Sequence, residues 1–426
     1  MPATLSALDA AFLQIEDDRH PMQLAGVLAF DGPAPTFDEF RDAIAQRLAH
    51  LPHFTRRLTR LHSAFRRPQW EEDDKFDLDD HLSEIAYDGR ATERDVLSLV
   101  GKLTMAKLDP TRPQWRMALV RGLEEDRFGI SLTVHHCMVD GLSIMEIFAT
   151  LFSTSPDGTT EMPTAVPPPS KAATSPVSKS ISSHVRTTVK MLGNTNSRRL
   201  SRTEPSKERL IAVATLPLAD VSAIRKKSRV TINTLMLSAV AGGLRRQCER
   251  ASLPEQDVYA FVPVNRRDSG YRGFHGNQIA MTYPRLFVAE SDPRKRLDLI
   301  NDEVARCATD RQADTTALLV QLTGSVPNGL AAVANRLFQY RAGIFDLTIT
   351  NVPGPPIPVY FLGRKLHRIV GSTPLTRKHP LTVAILSYNG EMTVAITVDP
   401  YRLPRAGDLA DDIVAAFREL EATFES

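Results

Sequence analysis

A histidine pair running into an Asp-Gly turn, His135-His136-Cys137-Met138-Val139-Asp140-Gly141, is the sharpest chemical feature of this chain. The residues before it alternate as a strand. Ile130, Leu132, Val134 and His136 fall on one face, and Gly129, Ser131, Thr133 and His135 on the other. The two imidazoles therefore point to opposite sides, and only one can face a given cavity. An imidazole titrating near neutrality can take a proton from a hydroxyl or thiol and return it to a leaving group. A strand end that enters a turn is a usual place for such a group. Asp140 is placed to fix backbone or imidazole geometry rather than to attack. Adjacent histidines on one strand cannot both reach one ion, so no metal site is expected. Cys137 lacks a nucleophile signature, and small buried cysteines more often pack. Taken alone, these residues also fit a purely structural pair before a turn.

The elements that must hold this stretch can be read from the rest of the chain. It has 426 residues, 42% hydrophobic and 24% charged, with net charge +2. That length predicts two domains, possibly three, each able to bury a core. Near-balanced charge argues against a nucleic-acid partner, which calls for a strongly basic face. No apolar run approaches the ~20 residues of a spanning helix, and no secretory signal is expected at the N-terminus. Three scattered cysteines, Cys137, Cys248 and Cys307, give neither a disulfide framework nor a metal spacing. A reducing, cytoplasmic compartment fits these features. Neither a GxGxxG loop after a strand, a GxSxG elbow nor a P-loop is present.

Residues 153–207 are rich in Ser, Thr and Pro and carry eight basic against three acidic residues. Such a stretch cannot bury enough apolar surface to offset its ordering entropy, and reads as a crossover linker. It divides the chain into 1–152 and 208–426. In the first part, strands are expected at 24–30, 116–123 and 128–136, the last two as a hairpin. Helices are expected at 37–50 with Thr36 as N-cap, at 94–107 and at 142–152. In the second part, helices are expected at 220–227, 233–250, 292–309 with Ser291 as cap, and 407–424. Strands are expected at 210–216, 259–264, 345–350, 358–370, 381–387 and 392–398. The last pair flank Asn389-Gly390, a strong hairpin signal. Strands joined by hairpins and interrupted by helices predict an α/β fold: two layered domains with mixed sheets flanked by helices. The arginines Arg56, Arg57, Arg60, Arg66 and Arg67 read as a solvated basic surface, with a phosphate-bearing ligand or anionic lipid as the alternative.

Several further segments stand around the heptad. The first part contains Leu5-Ser6-Ala7-Leu8-Asp9-Ala10-Ala11-Phe12-Leu13, Met22, Trp70, Phe76-Asp77-Leu78 with His81, and Leu108-Asp109 leading to Pro113-Gln114-Trp115. The second contains Asn233-Thr234-Leu235, Pro263-Val264-Asn265-Arg266-Arg267, Gly276-Asn277, Asn351-Val352-Pro353-Gly354-Pro355 and Ser387-Tyr388-Asn389-Gly390. In this order, and over essentially the whole chain outside the linker, they resemble the bacterial wax ester synthase/diacylglycerol acyltransferase family. That family lies within the CoA-dependent acyltransferase superfamily with the HHxxxDG motif. One departure is that Pro-Gln-Trp stands where the family has Pro-Leu-Trp, which leaves Trp115 in place.

The resemblance implies two chloramphenicol-acetyltransferase-like domains with an active-site tunnel at their interface. It implies transfer of a long-chain acyl group from acyl-CoA, a co-substrate and not a bound cofactor, to diacylglycerol, and also to fatty alcohols. His136 is implied as general base, with His135 structural or orienting. Asp140 is implied as the turn aspartate paired with an arginine, Arg267 or Arg19, and Gly141 as the residue that leaves that turn free. Trp115, Asn265, Arg267, Asn351, Pro353 and Gly354 are implied in substrate binding or support. Two readings stand beside this one. One is transfer from a carrier-protein thioester to a polyketide or glycolipid hydroxyl, the other a non-catalytic lipid-binding paralogue. Because both lipid substrates partition into membranes, peripheral contact with a membrane or lipid droplet is expected, with the basic linker as a candidate.

Overall fold

The computed structural model describes residues 3–139, 141–158, 187–188, 204–265, 277, 279–341 and 344–425. Most of the expected linker at 153–207 lies outside them, as do Asp140 and Arg267. The first part builds β1 (Ala3–Thr4), α1 (Ala7–Ile15), β2 (Gln23–Asp31), α2 (Phe37–Leu48), β3 (Arg56–Thr59) and β4 (Gln69–Glu72). There follow β5 (Leu82–Ala91), α3 (Glu93–Met105), β6 (Trp115–Leu123), β7 (Arg127–His135) and α4 (Gly141–Leu151). The second part opens with β8 (Leu210–Pro217), α5 (Leu218–Ser228), α6 (Ile232–Arg250), β9 (Val258–Asn265), β10 (Ile279–Thr282) and β11 (Arg285–Leu286). Three helices follow: α7 (Pro293–Thr309), α8 (Gln312–Thr323) and α9 (Asn328–Arg341). The chain then runs through β12 (Leu347–Pro353), β13 (Tyr360–Phe361), β14 (Arg364–Ser372), β15 (Leu381–Tyr388), β16 (Glu391–Val398) and α10 (Leu409–Ala422).

Two mixed sheets carry the fold, as the strand and helix alternation predicts. The first has the order β13-β14-β2-β7-β6-β5, antiparallel except for the parallel β5–β6 pair. The second has the order β10-β9-β12-β15-β16-β8, with β12 parallel to both of its neighbours. β7 sits inside the first sheet, and every residue from Phe128 to His135 is buried. Phe128, Ile130, Leu132 and Val134 belong to the main core of the first half, together with Phe30, Phe40 and Trp115. The opposite face of this sheet meets α3 through a second cluster containing Val27, Val120, Leu99 and Val100. A separate core in the second half joins α6 and α10 to the inner residues of β12, β15 and β16.

Local signals account for much of this. Thr36 and Glu39 close a full capping box at the start of α2. Asn389 and Gly390 both take positive φ and join β15 to β16 in a two-residue hairpin. Other boundaries differ from the sequence expectation. α7 is capped by Asp292, not Ser291: its carboxylate accepts from the amides of Arg294 and Lys295, and Pro293 holds the first helical position. The expected strand at 358–370 is a hairpin, broken where Leu362 and Gly363 take positive φ. Its longer arm, β14, pairs with β2, so a strand from beyond residue 208 completes the first sheet. The division of the chain at 153–207 is therefore not a division of the sheets. Helices α8 and α9 carry no apolar stripe that faces the core, and periodicity passed over them.

Candidate active site

The two histidines at the end of β7 have different surroundings. His135 is 2% exposed, paired across the sheet with Gln23, and its amide donates to the Gln114 carbonyl at 3.0 Å. Its Nδ1 accepts from the Cys137 amide at 3.1 Å. In the neutral ring the proton therefore sits on Nε2, which faces Glu16 Oε2 at 3.6 Å. The other Glu16 oxygen accepts from the Met22 amide at 3.1 Å. Burial disfavours the charge on Glu16, but His135, the Met22 amide and the field of Lys107 outweigh it and hold the carboxyl below its ordinary range. Both nitrogens of His135 thus face groups of the protein, Nδ1 in a hydrogen bond and Nε2 towards the Glu16 carboxylate.

His136 is only partly buried, and its amide donates to the Met22 carbonyl at 2.8 Å. Its ring stacks on Phe12 of α1, with centroids 4.1 Å apart and planes 11° from parallel. The His136 carbonyl accepts from Asn277 Nδ2 at 2.6 Å. Asn277 also gives its amide (3.0 Å) and Nδ2 (2.7 Å) to the carboxylate of Asp9. Asp9 is 3% exposed, on a helix whose N-cap Ser6 accepts from the Asp9 amide. Burial raises the Asp9 pKa despite these donors. One residue of the second half thereby ties α1 to the backbone of the histidine pair.

The remaining nominated residues divide into those near this knot and those that support it. Trp115 is fully buried: its indole nitrogen donates to the Phe54 carbonyl at 2.7 Å, and its ring stacks on His81 at 4.6 Å. It is a core support for β6, whose Trp115 pairs with Val134 of β7. Gln114, at the departure from Pro-Leu-Trp, is also buried. Its side-chain Nε2 donates to the carbonyls of Asp109 (2.6 Å) and Arg112 (2.7 Å), securing the turn whose Gln114 carbonyl holds His135. Gly141 opens α4 five residues beyond His136. Asn265 ends β9 opposite Ile279. The side chain of Arg19 donates to the Pro205 carbonyl at 2.8 Å and lies 3.9 Å from Glu204.

Asn351 and Pro353 lie beyond the strand expected at 345–350 and extend β12, opposite Ile385 and Ser387 of β15. The parallel ladder overrides the local turn preference. Val352 packs against the core of the first half, the one that takes in Cys137, Met138 and Val139. Gly354 is required by a close approach, since a Cβ there would overlap the Ser387 carbonyl oxygen. Cys137 is fully buried, and burial, followed by the fields of Asp9 and Glu16, raises its thiol pKa far above normal. It is a packing residue.

Sequence reasoning gave no role to Glu16, Phe12, Asp9 or Asn277. Asp9, Phe12 and Asn277 lay within the segments that carried the resemblance, but only contacts spanning 124 to 268 positions reveal what they do. Among the described residues, no group of three His, Cys, Asp or Glu is arranged to hold a metal ion. No helix among them is long and apolar enough to cross a membrane.

Two mixed α/β sheets with a histidine pair held at their junction define a fold shared with CoA-dependent acyltransferases and condensation domains. The chain is similar in structure to the wax ester synthase/diacylglycerol acyltransferase from Marinobacter aquaeolei (TM-score 0.72, 24% identity, 100% of both chains). It is also similar to the starter condensation domain of rhizomide synthetase bound to C8-CoA, with TM-score 0.65, 14% identity, and 100% and 95% of the chains covered. Residues 5–204 match the wax ester synthase/diacylglycerol acyltransferase catalytic domain, and 275–421 match the C-terminal domain of the same family. The probable diacylglycerol O-acyltransferase tgs1 of Mycobacterium tuberculosis is 29% identical over 445 residues, covering 98% of this chain and 96% of the relative. The chain belongs to the wax ester synthase/diacylglycerol acyltransferase family and is an O-acyltransferase.

Proposed function

We propose that this enzyme moves a long-chain acyl group from acyl-CoA to the free hydroxyl of diacylglycerol, giving triacylglycerol, and accepts fatty alcohols by the same chemistry. His136 is the general base. The observation that carries this is the unequal treatment of the pair: His135 is buried with both nitrogens facing protein groups, whereas the His136 ring lies partly exposed against Phe12. His136 Nδ1 is buried, and we assign the proton transfer to Nε2. Nε2 takes the hydroxyl proton as the oxygen attacks the thioester carbonyl. The tetrahedral oxyanion collapses, the C–S bond breaks, and the imidazolium returns the proton to the CoA thiolate. No acyl-enzyme is formed. Holding both substrates in one tunnel between the halves makes the encounter effectively unimolecular.

In this reading His135, Glu16 and Asn277 are positioning residues. By the resemblance, Asp140 is the turn aspartate that pairs with an arginine, Arg267 or Arg19, while Asn265, Asn351 and Pro353 support the substrates. Both lipid substrates partition into membranes, so the enzyme works in peripheral contact with a membrane or lipid droplet. The test is CoA release from palmitoyl-CoA with dioleoylglycerol, hexadecanol or no acceptor, with the product identified by lipid chromatography. His136→Ala should lower acceptor-dependent release ~10²–10⁴-fold. CoA release that ignores the acceptor, or a folded variant with full activity, would remove His136 from this role. A wild type silent with every acceptor but active with an acylated carrier protein would favour the carrier-thioester reading.

A further inference from the structure

α8 and α9 are built inside out. In α8 the buried residues are polar, Gln312, Thr315 and Thr316, with Thr316 hydrogen-bonded to both backbone groups of Met281 on β10. Leu319 and Leu322 of the same helix are exposed, the latter by 55%. In α9 the protein-facing side, apart from the small buried Ala331, is again polar. Asn328 and Asn335 bond the Gln14 amide at 2.8 and 2.6 Å, Asn328 also donates to the Ser63 carbonyl at 2.8 Å, and Arg336 donates to the Gln14 carbonyl at 2.8 Å. Leu330, Val333 and Leu337, at i, i+3 and i+7, share the outward face, with Leu330 63% exposed. Val326 continues the stripe through the turn. A helical hairpin that spends its polar residues on the protein and its apolar residues on the outside needs a non-aqueous partner.

A second segment extends this surface. The loop 60–68 lies against the start of α9, where the Gly329 amide donates to the Ala64 carbonyl at 2.7 Å. It presents Phe65, 82% exposed, between the exposed guanidinium-bearing residues Arg60 and Arg66. Arg56 and Arg57, by contrast, face Glu72 and Asp73 at 2.7 and 3.7 Å, so the basic cluster seen in the sequence divides into a paired part and an outward part. Neither the loop 60–68 nor the stretch 315–341 contains a single Asp or Glu. An apolar crest rimmed only by positive charge complements the anionic headgroups and acyl chains of a phospholipid membrane.

We propose that the α8–α9 hairpin and the loop 60–68 together form the surface by which the enzyme docks on anionic phospholipid membranes. This rests on the proposed use of membrane-dissolved acceptors, and names the surface that reaches them. Gln14, which holds α9 through both its side chain and its carbonyl, stands two residues beyond Phe12, the ring stacked on His136. The docking surface is thus separated from the histidine pair by the single helix α1.

The test is co-sedimentation of the whole protein with vesicles of phosphatidylcholine, alone or with about a quarter phosphatidylglycerol, at low and high salt. Four proteins are compared: wild type, Leu330→Glu with Val333→Glu, Arg60→Glu with Arg66→Glu, and Leu253→Glu as an exposed apolar control elsewhere. The apolar double variant should lose about tenfold or more in vesicle partitioning. The arginine variant should lose the gain from phosphatidylglycerol, and Leu253→Glu should match wild type. Each protein is also checked by circular dichroism, by light scattering for oligomeric state, and for CoA release with a water-soluble short-chain alcohol. Unchanged release in folded variants that no longer bind vesicles separates docking from catalysis. Wild-type partitioning by both double variants, or a dimer that becomes monomeric with vesicle binding intact, overturns the proposal. The latter result would make this face a contact between two copies of the chain.

Discussion

Asn277→Ala is the most informative single change in the histidine knot. It deletes one donor that serves two acceptors, Asp9 at 2.7 Å and the His136 carbonyl at 2.6 Å, while the Asn277 amide stays on Asp9. Each lost bond is worth ~0.5–1.5 kcal/mol between neutral partners, and up to ~3 kcal/mol where the acceptor is ionised, so the pair contributes about 2–4 kcal/mol. The larger consequence is geometric. The carbonyl of the proposed base is released, and a displacement of ~1 Å at a catalytic group costs on the order of 10²-fold in rate. We expect kcat to fall roughly 10–100-fold with KM for acyl-CoA within about threefold, the pattern of a group that acts in the transition state. The assay is acceptor-dependent CoA release at a temperature where circular dichroism shows both proteins folded. A folded variant with wild-type kcat would refute the claim that this bridge positions His136.

Two further changes probe the supports of the site. Gly354→Ala drives a Cβ into the Ser387 carbonyl, a backbone group that cannot rotate away, and should lower stability by ~1–3 kcal/mol; a urea midpoint within experimental error of wild type would show that β12 can shift without cost. Glu16→Gln removes a carboxylate whose folded pKa lies below the ordinary 4.5, so its stabilisation is complete above about pH 4.5 and is lost as pH falls through the folded value. The stability gap between wild type and variant should therefore be full at pH 7 and shrink in acid. Urea midpoints from pH 7 to pH 3 check this, and a gap that stays constant with pH would dissociate the effect from ionisation of Glu16.

How far the sequence alone reaches can be judged from particular residues. Alternation along 128–136 marked out β7, which ends at His135, Asn389-Gly390 fixed the hairpin between β15 and β16, and Thr36 capped α2 where expected. These are local matters of pleat, turn geometry and capping, decided within a few residues. The class of fold followed from the same signals, and the family from motifs spread along the chain. Tertiary structure decided the rest. It carried β14 across to complete the first sheet and drew Asn351 and Pro353 into a strand, because the ladder offered by β15 outweighs a Pro-Gly turn preference. It also gave the two histidines different surroundings, through Glu16 and Cys137 for one and Phe12 and Asn277 for the other. Helices α8 and α9 were illegible for a physical reason. Periodicity reads an apolar stripe as a buried one, and theirs faces outward, so only the polar contacts made by Gln14 and Met281 tell which side meets the protein.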